Sequence, residues 1–118
     1  MPEQYENVSL DDLVEYSKSM YEYWTEDDFA SSFRKMLTIE QFHSKEMQNL
    51  YQQYLVAGPA SYVKDLFDSM GFTNAKDKAV RFYAVMHFYY SLYDGAEDKE
   101  NVKDEFVSAI KSLVQNLK

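Results

Sequence analysis

Two histidines are the residues best suited to metal or acid–base chemistry in this chain of 118 residues. His43 follows Glu40 by three positions, and on a helix this spacing places the imidazole and the carboxylate on one face. Di-iron four-helix proteins use such a Glu-x-x-His pair twice, together with glutamates from two further helices. Here the pair occurs once, because Ala84 stands three positions before His87. We therefore expect no metal and no cofactor, and we interpret Glu40 and His43 as a half-exposed pair at a helix end.

His87 lies in a segment rich in aromatic residues. On one face of the predicted helix the side chains are mostly apolar, but they carry two phenol hydroxyls and one imidazole at their tips. Helical spacing gives this face four members: Tyr83, Met86, His87 and Tyr90. Buried polar groups need hydrogen-bond partners, so these tips either bond to the rest of the protein or line a cavity that binds a small molecule. In the second case, aromatic and methionine side chains from other segments supply the remaining walls: Met20, Trp24, Met36, Tyr51 and Tyr54.

No other pattern in the sequence indicates catalysis. There is no glycine-rich phosphate loop, no nucleophile elbow and no pair of carboxylates at a catalytic spacing. The acidic clusters at residues 26–28 and 97–98 are explained as solvated helix caps. The chain has no cysteine, which excludes disulfides and thiol chemistry and fits a reducing compartment. We therefore expect a cytoplasmic protein that is not an enzyme.

The composition predicts one compact domain over residues 1–118, because 46% of the residues are apolar and 17% are aromatic. Twenty acidic residues against twelve basic ones give a net charge of −8, which disfavours direct contact with nucleic acid. No basic start precedes an apolar run, so we expect no signal peptide. No apolar stretch reaches the length of about 18 residues that a membrane helix needs, so we expect no membrane contact.

Helical periodicity runs through the whole chain, and no strand-like alternation of useful length occurs. Three residue pairs have the spacing of an N-terminal capping box: Ser9 with Asp12, Thr25 with Asp28, and Asn74 with Asp77. Ser44 has the position of a further cap, and Gly71 that of a left-handed helix end on which Phe72 folds back. The sequence therefore predicts an all-α bundle of about five helices.

The third helix is predicted to be kinked at Gly58-Pro59. Apolar positions before and after this dipeptide keep nearly the same helical phase, which indicates one continuing element. Pro59 has no amide hydrogen, and its ring clashes with the carbonyl group of Leu55 in a straight helix. We expect one kinked helix at this point, or two helices packed end to end, and not a boundary between domains.

The order of these segments resembles the C-terminal regulatory domain of TetR/AcrR-type transcriptional regulators. Four stretches carry the resemblance: residues 37–42, residues 44–54, Gly58-Pro59 within a continuing apolar helix, and Phe82-Tyr83 followed by residues 91–95. The similarity covers roughly Phe29 to Leu117. It implies an interior site for a small effector and a homodimer formed by the last two long helices, here about Ala75–Asp94 and Asn101–Leu117.

The implied dimer agrees with a separate observation. The helix from Ala75 to Asp94 is apolar on nearly every side, so one side packs internally while another needs cover from outside. An isologous two-fold contact is a common way to bury such a surface. The side chains expected at the interface are Val85, Phe88, Tyr89, Leu92, Phe106, Ile110, Leu113 and Leu117.

One departure from the family is large. TetR-like regulators carry an N-terminal helix-turn-helix module of about fifty residues that reads operator DNA. This chain reaches its first amphipathic helix by Leu10, so we expect no such module and no direct DNA contact from it. The leading expectation is the effector-sensing and dimerisation domain of a bacterial regulator, with a small apolar or aromatic effector. The alternatives are a helical protein-interaction module without a ligand and a small helical metalloenzyme.

Overall fold

The computed structural model describes residues 8–118, and within that range the regular structure is helical, without a strand. Its helical segments follow in this order: α1 (Leu10–Glu26), α2 (Asp28–Glu40), α3 (Lys45–Leu55), α4 (Ala57–Ser69), α5 (Ala75–Gly95) and α6 (Lys99–Gln115). Because α3 and α4 form one bent helix, the predicted all-α bundle of about five helices is confirmed. None of the described helices is both long and apolar enough to cross a membrane. The expectations about the extreme N-terminus concern residues 1–7, which lie outside the described residues.

Two of the predicted caps are present as expected. The Ser9 hydroxyl accepts a hydrogen bond from the Asp12 amide at 3.1 Å, and the Asp12 carboxylate accepts one from the Ser9 amide at 3.1 Å. These reciprocal bonds satisfy two amides that have no partner inside α1. The Ser44 hydroxyl accepts from the Met47 amide at 3.1 Å and begins α3 in the same way.

The other two predicted capping boxes do not form, although Asn74 does occupy the N-cap position of α5. The cap of α2 is Asp27, whose carboxylate accepts from the Ala30 amide at 2.8 Å. Thr25 still belongs to α1 and donates its hydroxyl hydrogen to the carbonyl oxygen of Tyr21 at 2.6 Å. Asn74 precedes α5 in the left-handed region, with φ at 53°, and its side chain makes no capping bond.

The bend between α3 and α4 is centred on Val56, three residues before Pro59. Val56 leaves the helical region, with φ at −132° and ψ at −85°. Pro59 consequently lies in the first turn of α4, where a missing amide hydrogen is tolerated. Gly58 packs directly on the backbone of Gln53, and a Cβ atom at this position would overlap the Gln53 carbonyl oxygen. The bend therefore requires glycine at position 58.

The end of α4 matches its prediction. Gly71 has a φ of 83°, and the Phe72 amide donates to the carbonyl oxygen of Phe67 at 3.1 Å. The Phe72 ring returns to the last turn, with its centroid 5.5 Å from that of Phe67. This contact closes the helix end over the core.

Helix α5 is the central element of the bundle, packed against α1, α4 and α6. Tyr21 of α1 lies between its neighbours in a stack, with ring centroids 4.0 Å from Phe106 of α6 and 5.6 Å from Tyr90 of α5. Phe67 of α4 meets Phe82 of α5 edge to face at 5.4 Å. These aromatic contacts fix the position of the α5 side chains that line the cavities described below.

We predict that Gly58→Ala lowers the free energy of unfolding by about 1–3 kcal/mol, because the new methyl group must displace the Gln53 backbone. The matched control is Gly95→Ala, since a Cβ atom there meets nothing within 4 Å. Urea unfolding followed by circular dichroism measures both values. Equal stability of the two variants would show that the bend does not depend on the absence of a side chain at position 58.

Candidate functional site

A cavity of about 250 Å³ lies between α1, the α3–α4 bend and α5. Its walls are mostly aromatic rings and thioethers, and we call it the aromatic pocket. It is lined by Tyr16, Met20, Trp24, Gln53, Tyr54, Gly58, Pro59, Tyr62, Val63, Tyr83, Met86 and Tyr90. Six of the nine residues predicted to bind a ligand are among them: Met20, Trp24, Tyr54, Tyr83, Met86 and Tyr90.

The helical repeat explains how the chain builds this wall. Tyr16, Met20 and Trp24 recur every four residues along α1, so they project from one face. The members from α5 recur at intervals of three and four residues and face them across the cavity. Between these two walls the bend places Gly58 and Pro59, which also line the cavity.

The bend also determines where a buried tyrosine forms its hydrogen bond. In a continuous helix the carbonyl oxygen of Leu55 would accept from the amide of residue 59, but Pro59 has none. The Tyr83 hydroxyl donates to that oxygen at 2.6 Å instead. Burial raises the pKa of Tyr83, so its hydroxyl stays a donor over the physiological range.

Two further tyrosine hydroxyls form hydrogen bonds within the bundle. The Tyr21 hydroxyl donates to the carbonyl oxygen of Tyr89 at 2.7 Å. The Tyr51 hydroxyl and Nε2 of His87 share a hydrogen bond of 3.2 Å. Both bonds join α5 to other helices, which restrains the aromatic side chains next to them.

Tyr90 differs from these tyrosines. Only 4% of its surface is exposed, yet its hydroxyl makes no hydrogen bond with any group in residues 8–118. Burial, followed by the electrostatic influence of Tyr83, raises its pKa, so the group is a neutral donor and acceptor. Within the described residues, no fully buried side-chain nitrogen or oxygen atom lacks a hydrogen-bond partner, so this hydroxyl is not enclosed in the core but reaches the open space of the cavities that Tyr90 lines. It is therefore accessible to a molecule that enters them.

A second cavity, of about 340 Å³, lies between α2, α3 and α5, and we call it the arginine pocket. It is lined by Arg34, Lys35, Thr38, Ile39, Tyr51, Leu55, His87, Tyr90, Ser91 and Asp94. Of the predicted ligand-binding residues, Tyr51 and His87 line this cavity only, and Tyr90 lines both. Met36 lines neither and is exposed on α2. The residues predicted for one cavity are thus divided between two that share Tyr90.

The strongest polar interaction of the site involves two residues that sequence reasoning did not single out. The Arg34 guanidinium binds both carboxylate oxygens of Asp94, at 2.8 and 2.6 Å, and its Nε donates to the carbonyl oxygen of Trp24 at 3.0 Å. The Arg34 side chain is only 6% exposed, and its guanidinium lies 5.4 Å from the centre of the Tyr90 ring. One feature of the sequence could have indicated the role of Arg34. It occupies a core-facing position of α2, between the buried residues Ala30 and Leu37.

His87 is half-buried and lies beside this cation. Burial first, and then the positive charge of Arg34, lower the pKa of His87 below its ordinary value of 6.5. The imidazole is therefore neutral near physiological pH, and it can both donate and accept a hydrogen bond.

The other histidine forms the expected pair at the end of α2. Nδ1 of His43 lies 2.7 Å from Oε2 of Glu40, and both side chains are well exposed. Within the described residues, no group of three or more His, Cys, Asp or Glu side chains is arranged to hold a metal ion.

The eight residues expected at a dimer interface fall into three groups. Phe106, Ile110 and Leu117 are buried in the core of the same chain and cannot touch a partner without opening it. Val85, Tyr89 and Leu113 are partly buried against that core. Phe88 and Leu92 remain well exposed. They belong to the outer face of α5, defined here as Val80, Ala84, Phe88 and Leu92, which recur every four residues.

We predict that Asp94→Asn lowers the free energy of unfolding by about 2 kcal/mol, because the nearly buried Arg34 loses its carboxylate partner. Asp94 is 28% exposed, which keeps the loss below that of a fully buried pair. The control is Asp68→Asn, whose partner Lys64 is exposed at the surface, and this change should leave the stability nearly unchanged. Urea unfolding distinguishes the two, and equal losses would contradict a structural role for the Arg34–Asp94 pair.

A second prediction concerns pH. The pKa of His87 is lower in the folded chain than in the unfolded chain, so the unfolded state binds more protons as the pH falls below about 6.5. The stabilising contribution of neutral His87 is complete above that pH and is lost as the pH falls towards the folded pKa. We expect His87→Gln to flatten the decline in the free energy of unfolding that sets in as the pH falls below about 6.5, and urea unfolding at a series of pH values measures this slope. A slope unchanged by His87→Gln would refute this assignment.

Comparisons with protein-family models, curated proteins and solved structures find no match to this chain. The geometry of the two pockets and of the outer face of α5 therefore carries the functional argument.

Proposed function

We propose that this chain is a small-molecule-binding domain whose aromatic pocket takes an apolar or aromatic compound with one hydrogen-bonding group. The Tyr90 hydroxyl carries this proposal, because it has no hydrogen-bond partner among the described residues and belongs to a nearly buried side chain that lines the aromatic pocket. A ligand hydroxyl or carbonyl would supply that partner while the surrounding rings bury the hydrocarbon part.

The volume of the aromatic pocket limits the size of the compound. An apolar cavity of about 150 Å³ is sufficient to hold benzene. The aromatic pocket measures about 250 Å³, which suits a compound of one or two rings. Trp24 and Tyr54 supply flat, rigid contact surfaces with few rotatable bonds, so little conformational entropy is lost on binding.

The position of the pocket supports an effector-sensing role, as the TetR-like resemblance implies. A ligand there would touch Gln53 and Tyr54 on one side of the bend and Gly58 and Pro59 on the other. A compound that prefers one angle between α3 and α4 would shift the population of helix arrangements by its differential affinity. In a TetR-like regulator, such a shift would alter the separation of two attached DNA-binding modules.

We further propose that a second copy of the chain covers the outer face of α5. The face has its two smaller side chains, Val80 and Ala84, towards the start of the helix and its two larger ones, Phe88 and Leu92, towards the end. If two α5 helices cross antiparallel about a two-fold axis between positions 84 and 88, each Phe88 meets an Ala84 and each Leu92 meets a Val80. Large side chains then oppose smaller ones at each of these contacts, which is the self-complementarity that an isologous interface requires. This proposal moves the interface from the last two helices jointly to α5.

The binding proposal is tested with 2-naphthol and naphthalene, which differ by one hydroxyl group. We expect 2-naphthol to raise the melting temperature of the protein and to quench Trp24 fluorescence. Tyr90→Phe should weaken 2-naphthol binding about five- to tenfold, the value of one hydrogen bond, and leave naphthalene binding unchanged. The matched control is Tyr23→Phe, which alters an exposed phenol outside the pocket. Failure of both compounds to bind would favour the alternative, a protein-interaction module without a ligand.

The dimer proposal is tested by Phe88→Glu. Phe88 is 58% exposed, so the change should not disturb the core, but it places a charge at the centre of the outer face of α5. Sedimentation equilibrium should show a dimer for the unaltered chain and a monomer for the variant. Phe42→Glu changes a side chain that is 80% exposed elsewhere and should leave the dimer intact. A monomeric unaltered chain would contradict the proposal.

A further inference from the structure

We propose that the arginine pocket is a second binding site, separate from the aromatic pocket, that takes a small organic carboxylate. Neither the TetR-like resemblance nor the aromatic pocket requires this site, and the two linings have only Tyr90 in common. Such a ligand is indicated by the charge of the pocket, by the unused donors of Arg34 and by the apolar surface beside them.

The local charge of the pocket is opposite to that of the chain. The chain carries a net charge of −8, whereas the pocket lining contains two cations, Arg34 and Lys35, and one anion, Asp94. Lys35 forms no ion pair within residues 8–118, so its charge remains uncompensated at the rim. The positive charge of Arg34 also acts on the neighbouring His87: after burial, it is the second cause that lowers the pKa of that imidazole.

Arg34 retains donors for a ligand. A guanidinium group has five N–H groups, of which Asp94 and the Trp24 carbonyl oxygen occupy three. The other two have no acceptor in the described part of the chain. Asp94 and Trp24 hold the guanidinium in place, so a ligand would meet a positioned donor and would not have to order a flexible side chain. Charge-assisted bonds of this type are among the stronger polar interactions in proteins.

The rest of the lining defines the body of the ligand. Ile39, Leu55 and the rings of Tyr51 and Tyr90 form an apolar wall next to the guanidinium. A volume of about 340 Å³ suits a single-ring or short-chain carboxylate. The neutral His87 imidazole, bonded to Tyr51 at 3.2 Å, lies on the same cavity and responds electrostatically to a bound anion.

The test uses sodium benzoate, with benzyl alcohol as the uncharged analogue and sodium chloride at equal ionic strength as the salt control. Nuclear magnetic resonance follows the pKa of both histidines in the intact chain. The charged and titratable groups around His87 are Arg34 and Lys35 from α2, Tyr51 from α3, and Tyr83, Tyr90 and Asp94 from its own helix. A carboxylate bound among them should raise the pKa of His87 by about 1, because a nearby negative charge favours the imidazolium form. Exposed His43 is the internal control and should not respond.

Two variants locate the site. Arg34→Gln should weaken benzoate binding at least about tenfold, the effect of losing a charge-assisted hydrogen bond. Because this change also removes a structural ion pair, Ser91→Phe serves as an independent variant: Ser91 is exposed, lines the pocket, and a ring there would obstruct it. Ser108→Phe, at an exposed position of α6 outside the pocket, should leave binding unchanged.

Benzoate that leaves the pKa of His87 unchanged would overturn the proposal, and so would equal binding of benzoate and benzyl alcohol. Benzoate that perturbs Trp24 and Tyr54 but not His87 would place the compound in the aromatic pocket. That result would overturn the second site while supporting the function proposed above.

Discussion

A buried phenol must find a hydrogen-bond partner, and the arrangement of this bundle depends on how that requirement is met. Pro59 has no amide hydrogen to donate to the carbonyl oxygen of Leu55, and the Tyr83 hydroxyl donates to that oxygen instead. This hydrogen bond joins the bend between α3 and α4 to α5. Tyr21 bonds to the backbone of α5 and stacks on Phe106, which joins α1, α5 and α6. Tyr90 alone among these rings keeps an unpartnered hydroxyl within the described residues, and both pockets meet at its side chain.

Helix α5 is 21 residues long, and its three sides have different surroundings. One side packs into the core through Ala79 and Phe82. A second side faces the two cavities, where tyrosine and histidine tips replace purely apolar groups. The third side, the outer face, exposes Phe88 to solvent. These three surroundings explain why the sequence of α5 has apolar residues on nearly every side of the helix, although only part of its surface is buried within the chain.

Local features of the fold were predictable because their causes lie within a few residues. The Ser9–Asp12 box, the bend near Pro59 and the left-handed Gly71 each follow from short-range backbone chemistry. Thr25 failed as a cap because α1 continues through Glu26, and a neighbouring aspartate, Asp27, competes for the same role.

The candidate site was predictable only in part, because its decisive contacts join distant positions. The helical repeat placed Tyr83, Met86 and Tyr90 on one face correctly, but it could not show that two cavities divide the set. Arg34 and Asp94 are separated by 60 positions in sequence, and nothing local indicates their pairing. Similarly, the apolar stripe of α6 does not reveal whether Phe106 meets its own chain or a second copy. Tertiary packing decides this, and it places Phe106 inside.

The most direct measurement is a high-resolution crystal structure of the protein soaked with 2-naphthol. We predict that the naphthol ring lies among Met20, Trp24 and Met86, with its oxygen within about 3.2 Å of the Tyr90 hydroxyl oxygen. A structure in which the Tyr90 hydroxyl bonds to a protein group, and side chains fill the space beside it, would contradict the account.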